Sequence, residues 1–258
     1  MKLDTLVDIL DKEIPSFEGL QFEERGVINP ASKEIRRIGV CLNLTENVIR
    51  ESRKREIDFL VMHHGFGDEV KAALKRIGIG AYQAHLPLDI MEGGLIDSFA
   101  EILGLSSASP VDIEYKNIIV PKGALIADAP EGSLKYFAAA LKSYFGCLLP
   151  GYIPHFNGGS QGNISKVAIS TGKFLRPEFV EQVAPLGAGL IVAGEASTNG
   201  EKYARERGIS TICVGDFASH LPGLKNLVSG LNLRITVSKG LAYDGCCRLL
   251  PDRMLYSG

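Results

Sequence analysis

Several features that identify particular classes of protein are absent from this 258-residue sequence. Lys and Arg number 28 against 30 Asp and Glu, a formal net charge of −2, so the basic excess typical of nucleic-acid binding is missing. Every apolar run ends well short of the ~20 residues that a membrane-spanning helix needs. The acidic, amphipathic N-terminus lacks the basic and long apolar stretches of a signal peptide. We therefore expect a cytoplasmic protein that binds neither membranes nor nucleic acid.

The cysteines show no disulfide or zinc framework. No two of them have CxxC spacing, and the five are Cys41, Cys147, Cys213, Cys246 and Cys247. An odd number of cysteines without a framework is typical of a reducing compartment. The adjacent pair Cys246 and Cys247 could hold a soft metal, but neighbours in a strand face opposite sides, which favours a structural role.

Two common nucleotide-binding fingerprints are also missing. Thr171-Gly172-Lys173 resembles the end of a P-loop, but that motif needs a glycine where Val167 stands and a hydroxyl where Phe174 stands. No GxGxxG follows a predicted strand. Neither fingerprint therefore supports phosphate or dinucleotide binding.

The sequence does contain a regular alternation of apolar, strand-like runs with helical patterns. Strands are predicted at 37–44, 57–62, 80–84, 118–126, 167–170, 190–193 and 210–214. The short connections favour an α/β fold with mostly parallel or mixed sheets covered by helices. We predict two α/β lobes, one formed by 1–105 with 211–258 and the other by 106–210. Near the end we expect a loop at 216–220, a helix at 222–231 because proline suits a first helical turn, and a strand at 233–237.

The distribution of the histidines is the most informative feature. His63 and His64 follow an apolar strand, His85 and Asp89 follow the next strand, and Asp216 and His220 follow a later one. In open α/β sheets the carboxyl ends of parallel strands border the ligand crevice, so these side chains are expected to converge. The two adjacent imidazoles can face one cavity only if the chain has already left its pleat. Imidazole with carboxylate is the ligand mixture of a first-row metal ion.

Each of these residues also has a structural interpretation. A His-His pair is more often a hydrogen-bonded strand end than a pair of ligands. Asp216 and His220 would share a helix face at a spacing of four, but Pro222 favours a loop there. His155 lies in a glycine-rich stretch far from the other histidines, and we predict it at the surface. Spacing alone therefore leaves the metal site as one of two interpretations.

The motifs taken together resemble a known family. Asp58–Gly65 ends in His-His-Gly, Ala84–Asp89 reads Ala-His-Leu-Pro-Leu-Asp, and Glu92–Asp97 forms a Gly-Gly turn into a helix. Leu103-Gly104-Leu105 and Ala193-Gly194-Glu195 follow in order. In order and spacing these are similar to the GTP cyclohydrolase 1 type 2 homologue family, the Ngg-interacting-factor-three-like proteins, in the short form that lacks a large middle domain.

The resemblance implies a dinuclear metal site in the cleft between the two lobes. The ligands carried over by position are His63, His64, Asp89, Asp216 and His220. The cofactors would be two divalent ions such as Zn, Mn, Fe or Ni. The family motif Gly-His-x-x-Ser-Glu stands here as Gly215–His220 with the imidazole and the carboxylate exchanged.

Two other positions depart from the family pattern, and two more have undecided roles. Gly65 replaces the proline that follows His-His, and Asn43 replaces the aspartate of Leu-Asp-Val-Thr, which removes one carboxylate. His85 is either an acid–base or hydrogen-bonding group beside the ions or a buried structural histidine. Glu195 either orients a water or a ligand, or is a carboxylate at a helix N-terminus.

The family implies a metal-dependent hydrolase that acts on a nucleotide-like substrate, such as GTP, through metal-activated water. The alternatives are a non-enzymatic metal-binding, regulatory or metal-delivery protein, or a scaffold with a degenerate site. The family also implies self-association as a homo-oligomer, with a homohexameric ring as one form, and a small-molecule substrate as the other partner.

Overall fold

Two β-sheets form the framework of the protein in a computed structural model. The structure describes residues 1–17, 19–20, 25–30, 34–65, 67–115, 117–149, 152–158, 164–239 and 247–249. Contacts between residues divide the chain into a first unit, Met1–Met91 with the described residues from Leu224 onward, and a second unit, Glu92–Gly223. The predicted α/β class with mixed sheets is confirmed.

The first unit begins with a helix and then alternates strands with helices. Its elements before residue 92 are α1 (Leu3–Glu13), β1 (Gly26–Asn29), β2 (Ile38–Asn43), α2 (Glu46–Lys54), β3 (Phe59–His64), α3 (Asp68–Ile77), β4 (Gly80–Gln83) and α4 (Leu86–Ile90). A short strand, β11 (Cys247–Leu249), adds to the sheet from the far end of the chain; Cys246 lies outside the described residues. The strand order is β1-β4-β3-β2-β11, with β1 antiparallel and the others parallel.

Strand β3 lies at the centre of this sheet because both of its faces are apolar. Residues 59–63 are buried, as expected for a parallel strand covered on both sides. On one face Leu60 and Met62 pack in a cluster with Val48 of α2 and Leu74 of α3. Thr45 caps the start of α2, since its Oγ1 accepts a hydrogen bond from the Val48 amide at 3.2 Å. This packing holds β3 in the sheet, and His63 and His64 are the last two residues of the strand.

The second unit contains a six-stranded sheet. Its elements are α5 (Leu95–Ile102), β5 (Ser109–Tyr115), β6 (Ile118–Asp128), α6 (Ser133–Leu148), β7 (His155–Asn157), β8 (Lys166–Ile169), α7 (Pro177–Val183), a 3-10 turn (Ala184–Leu186), β9 (Ala188–Ala193), α8 (Thr198–Glu206) and β10 (Ser210–Cys213). The order is β5-β6-β8-β9-β10-β7, parallel across β8, β9 and β10 and antiparallel elsewhere. Apolar side chains of β8 and β9, including Ala168 and Ile191, pack in one cluster with Phe179 and Val180 of α7 and Ala204 of α8.

A long helix, α9 (Asp216–Lys239), corrects two predictions near the end of the chain. The loop expected at 216–220 is helical, because the Ser219 amide already bonds to the Gly215 carbonyl at 3.1 Å. Pro222 therefore lies inside the helix rather than at its start. The strand expected at 233–237 is also helix, which shows that a helix already under way overrides the local β preference of isoleucine, threonine and valine.

Across the described part of the chain, no helix is both long and apolar enough to cross a membrane.

Candidate metal centre

The His-His pair stands at the end of the central strand of the first sheet. His63 is 1% exposed, His64 is half-buried, and their ring centroids are 4.5 Å apart. The prediction that the chain leaves its pleat before the pair is wrong, since both residues belong to β3. The rings nevertheless approach each other because His64 is the last residue of the strand. Gly65 follows, and a Cβ there would lie 2.8 Å from Gln83 Cβ, so the tight packing at this turn favours glycine.

His85 joins the pair from the neighbouring strand. It precedes α4 directly after β4, and its ring centroid lies 4.7 Å from that of His63 and 5.1 Å from that of His64. One ligand nitrogen of each of the three imidazoles lies within 4.8 Å of the other two. From the sequence, His85 could be either an acid–base or hydrogen-bonding group beside the ions or a buried structural histidine. The structure makes it a third candidate ligand within the same unit.

Asp89 adds a carboxylate to the three imidazoles. It is 6% exposed, and its Oδ2 is 3.0 Å from His63 Nε2. The short helix α4 sets its place, because the amides of Leu88 and Asp89 both bond to the His85 carbonyl. Two ligands at right angles on an ion with bonds of about 2.1 Å lie about 3.0 Å apart. The separation and chemistry of this pair therefore fit a first-row metal ion.

The partner of His64 is Asn43, at the end of the adjacent strand β2. The two residues are direct partners in the parallel register, and His64 Nδ1 lies 2.8 Å from Asn43 Oδ1. The amide therefore stands where the resemblance predicts a carboxylate. It contacts a candidate ligand directly, a role that the sequence alone did not reveal.

In the second unit, the first turn of α9 presents Asp216 and His220. His220 is 1% exposed, and its Nδ1 lies 2.7 Å from the Asp216 carbonyl oxygen and 3.5 Å from Asp216 Oδ1. With Nδ1–H donating to the carbonyl, Nε2 keeps its lone pair. Metal-binding histidines are commonly held by such a bond from the other ring nitrogen. Because this segment is helical, Asp216 and His220 lie on one face of α9. The predicted loop would not have given this arrangement.

Ser219 and two glycines hold this turn in place. Ser219 Oγ accepts from the Gly172 amide at 3.1 Å and donates to the Asp216 carbonyl at 2.8 Å. Gly172 has a φ of +60°, and a Cβ there would lie 3.5 Å from His220 Cε1. A Cβ on Gly194 would lie only 2.5 Å from the Gly172 carbonyl oxygen. Thr171-Gly172-Lys173 therefore belongs to a turn that lies beside the imidazole of His220 and packs closely against Gly194.

Two further residues singled out in the sequence lie at more exposed positions of the same unit. Glu195 Oε2 is 3.3 Å from Lys173 Nζ, and its backbone amide bonds to the Gly172 carbonyl at 2.7 Å. His155 is at the surface, as predicted, with a side chain 64% exposed and Nε2 3.3 Å from Glu201 Oε1. Burial, with Glu201 as a second cause, raises the pKa of the nearby Cys213 thiol to about 12, so this thiol is neutral at physiological pH.

The fold and side chains together define a class: a two-sheet α/β protein with an imidazole–carboxylate group that could hold a metal ion. The family model for Duf34/NIF3 (NGG1p interacting factor 3) matches residues 1–241, and the chain belongs to that family. The resemblance predicted from the motifs is thereby confirmed.

Curated relatives support the same assignment. A GTP cyclohydrolase 1 type 2 homolog of Clostridium perfringens is 26% identical over 244 residues, covering 87% of this chain and 88% of the relative. Another, from Methanocaldococcus jannaschii, is 25% identical over 257 residues, covering 91% of this chain and 98% of the relative.

Solved structures share the fold at lower identity. Reduced HcgD from Methanocaldococcus jannaschii has a TM-score of 0.73 at 22% identity and covers 97% of this chain and 98% of its own. A Bacillus cereus protein related to NIF3 has a TM-score of 0.75 at 15% identity, covering 98% of this chain and 97% of its own. The architecture is therefore that of the NIF3 fold.

Proposed function

We propose that this protein binds two divalent metal ions and uses them to hydrolyse a nucleotide-like small molecule. The observation that carries the proposal is the convergence of His63, His64 and His85 at one strand edge, with Asp89 bonded to His63. One buried and two half-buried imidazoles beside a buried carboxylate are the donor set of a first-row transition metal.

The proposed ligands are those implied by the family motifs. They are His63, His64, Asp89, Asp216 and His220. Three neutral imidazoles and two carboxylates would offset about half of the charge of two divalent ions. The nitrogen-rich set favours Zn, Mn, Fe or Ni over Mg or Ca, which prefer oxygen ligands.

The chain's own residues suit hydrolysis. Two ions, when bound, supply Lewis-acid polarisation of a phosphoryl or carbonyl oxygen and activate water. Burial of His63 and Asp89 keeps bulk water from competing for these groups. His85 is half-buried beside the pair, and it can donate or accept a proton at the leaving group if it does not itself bind an ion. A nucleotide such as GTP is the first substrate to test, because the curated relatives carry the name GTP cyclohydrolase 1 type 2 homolog.

Metal content measured together with turnover tests this proposal. Elemental analysis of the purified protein should find close to two ions per chain, and hydrolysis of GTP should stop on chelation and return on adding metal. The double variant Asp216→Ala/His220→Ala should lose at least one ion. Full retention of metal in the double variant would refute the second-unit ligands, and metal binding without turnover of any nucleotide would refute the hydrolase.

A metal-delivery or regulatory role is the second candidate. It is favoured by the half-buried positions of His64 and His85, since ligands open to solvent allow an ion to exchange. Rapid transfer of the ion to a chelator or an acceptor protein, without any turnover, would support it.

We also propose that the chain self-associates, as the family resemblance implies. Large apolar side chains that are exposed in the isolated chain support this, with Ile153 at 85%, Ile119 at 62% and Phe156 at 45%. Native mass spectrometry should find a multimer, with a hexamer as the expected form, and a monomer would contradict the proposal.

A further inference from the structure

We propose that Asn43 is a positioning residue that holds His64 in the tautomer able to bind a metal through Nε2. The inference rests on the proposed metal binding and deepens it. It assigns a specific task to a position at which this chain departs from the family pattern. The task is carried by one hydrogen bond, between Asn43 Oδ1 and His64 Nδ1.

The backbone makes this bond a fixed feature of the sheet. Asn43 ends β2 and His64 ends β3, and the two are direct register partners in the parallel ladder. The 2.8 Å separation is that of a normal hydrogen bond. Both side chains are half-buried, so water competes less for the bond than it would at an open surface.

The chemistry of the amide oxygen decides the tautomer. A carboxamide oxygen only accepts, so the proton of a neutral His64 must lie on Nδ1 when it faces Oδ1. Nε2 then carries the lone pair that a metal ion needs. His220 shows the same arrangement in the second unit, where Nδ1 faces the neutral carbonyl oxygen of Asp216. In both His64 and His220, a neutral oxygen accepts the hydrogen bond from Nδ1, which leaves Nε2 able to bind a metal ion.

An amide rather than a carboxylate at position 43 affects how strongly His64 can bind a metal ion. A carboxylate on Nδ1–H makes an imidazole a stronger electron donor, whereas an amide orients the ring with a smaller effect. Asn43 therefore orients the imidazole of His64 but strengthens it as a ligand less than a carboxylate at the same position would. The variant Asn43→Asp should therefore bind more tightly than the natural chain, and Asn43→Leu more weakly.

The first measurement reads the tautomer directly in the metal-free full-length protein. Histidine-selective 15N labelling at about pH 8, where an unperturbed imidazole is neutral, distinguishes a protonated Nδ1 from a protonated Nε2. The His64 signal is assigned from its loss in His64→Ala. We expect Nδ1–H in the natural chain and in Asn43→Asp, and a mixture of tautomers in Asn43→Leu. Protonation on Nε2 in the natural chain would overturn the inference, because the amide would then donate through Nδ2.

The second measurement is metal affinity by competition with a chromophoric chelator. Replacing a hydrogen-bonding partner of a ligand histidine typically costs 10–100-fold, and we expect Zn²⁺ affinity to fall by that factor in Asn43→Leu. The matched control is Asn29→Leu, which removes the 2.7 Å bond from Asn29 Nδ2 to the Ile79 carbonyl in the same sheet. The control should lose stability but keep its metal affinity within about threefold.

The outcomes separate this inference from the proposed function. If the natural chain binds no metal while its His64 carries Nδ1–H, the proposed function fails and the tautomer assignment stands. If the natural chain binds metal and Asn43→Leu binds it equally well, the positioning role is refuted and the metal site stands. Equal affinity of Asn43→Asp and Asn43→Leu would also refute the role, because it would leave only a packing effect.

Discussion

The two units assemble their candidate ligands by different means. In the first unit, parallel strands β3 and β4 end side by side, so His63, His64 and His85 meet although they come from separate segments. In the second unit, one helical turn presents Asp216 and His220. Residues four apart lie on one helix face, so exchanging imidazole and carboxylate there keeps both donors on that face. The comparison teaches that a helix turn brings its two donors together by local spacing, whereas a strand end depends on the register between neighbouring strands.

The largest expected effect is on the strand-end group. His63→Ala removes the buried imidazole that contacts Asp89 and His85. Metal affinity should fall by more than the roughly 10–100-fold that loss of a ligand's hydrogen-bonding partner costs. His155→Ala is the matched control, since it removes an exposed histidine of the second unit. Isothermal titration with Zn²⁺ measures both variants. Equal loss in the control, or none in His63→Ala, would break the distinction between strand-end and surface histidines.

The next effect tests how tightly the second unit holds its helix turn. In Gly194→Ala the new methyl group would lie 2.5 Å from the Gly172 carbonyl oxygen and 2.6 Å from Ser219 Oγ. We expect a loss of about 2–4 kcal/mol in the free energy of unfolding, measured by urea denaturation. Gly146→Ala is the control, because it adds a methyl group with no atom within 4 Å and should not destabilise α6. Similar values for both glycines would show that the turn is not closely packed.

A smaller effect isolates the hydrogen bonds of the same turn. Ser219→Ala leaves the Gly172 amide and the Asp216 carbonyl without the hydroxyl that links them. Unfolding should become easier by about 1–2 kcal/mol. Ser229→Ala, further along α9, removes an exposed bond to the Lys225 carbonyl and should change stability by less than about 0.5 kcal/mol. Equal loss of stability in the two serine variants, measured by thermal unfolding, would show that the hydrogen bonds of Ser219 do not stabilise this turn.

The smallest effect concerns the end of β10, the strand that leads into α9. Burial first and Glu201 second raise the pKa of Cys213 from its ordinary 9.0 to about 12. The thiol of Cys213 loses its proton at a lower pH in the unfolded chain than in the folded one. The contribution of the neutral thiol to the free energy of unfolding is therefore complete below pH 9 and is lost as the pH rises toward 12. The stability of the natural chain relative to Cys213→Ala should fall by about 1 kcal/mol between about pH 9 and pH 10. If the difference in stability between the natural chain and Cys213→Ala does not change with pH, the thiol of Cys213 is open to water.

Local sequence pattern predicts the strands and the residues at their ends, because burial on both faces leaves an unbroken apolar run. It also predicts that His63, His64 and Asp89 belong to one group, since parallel strands share an edge. The start of α9 could not be predicted in this way. Pro222 is a valid first-turn residue locally. The bond from the Ser219 amide to the Gly215 carbonyl shows that the helix begins earlier, and the contact of Ser219 with Gly172, distant in sequence, supports that turn.

The partner of His64 also depends on information that the sequence does not carry. Asn43 reads as a missing carboxylate when residues are compared by type. Its direct pairing with His64 depends on the register between β2 and β3, which is set by packing over the whole sheet. The shared sheet edge also predicts that His85 lies near the pair, but its contact with both imidazoles requires that β4 be the direct neighbour of β3.

Anomalous X-ray diffraction from crystals equilibrated with Zn²⁺ tests the central claim most directly, because it locates the metal against named atoms. We predict an anomalous peak about 2.1 Å from both His63 Nε2 and Asp89 Oδ2. Zinc bound only elsewhere, for example at the surface pair His155 and Glu201, or no peak at the end of β3, would contradict it.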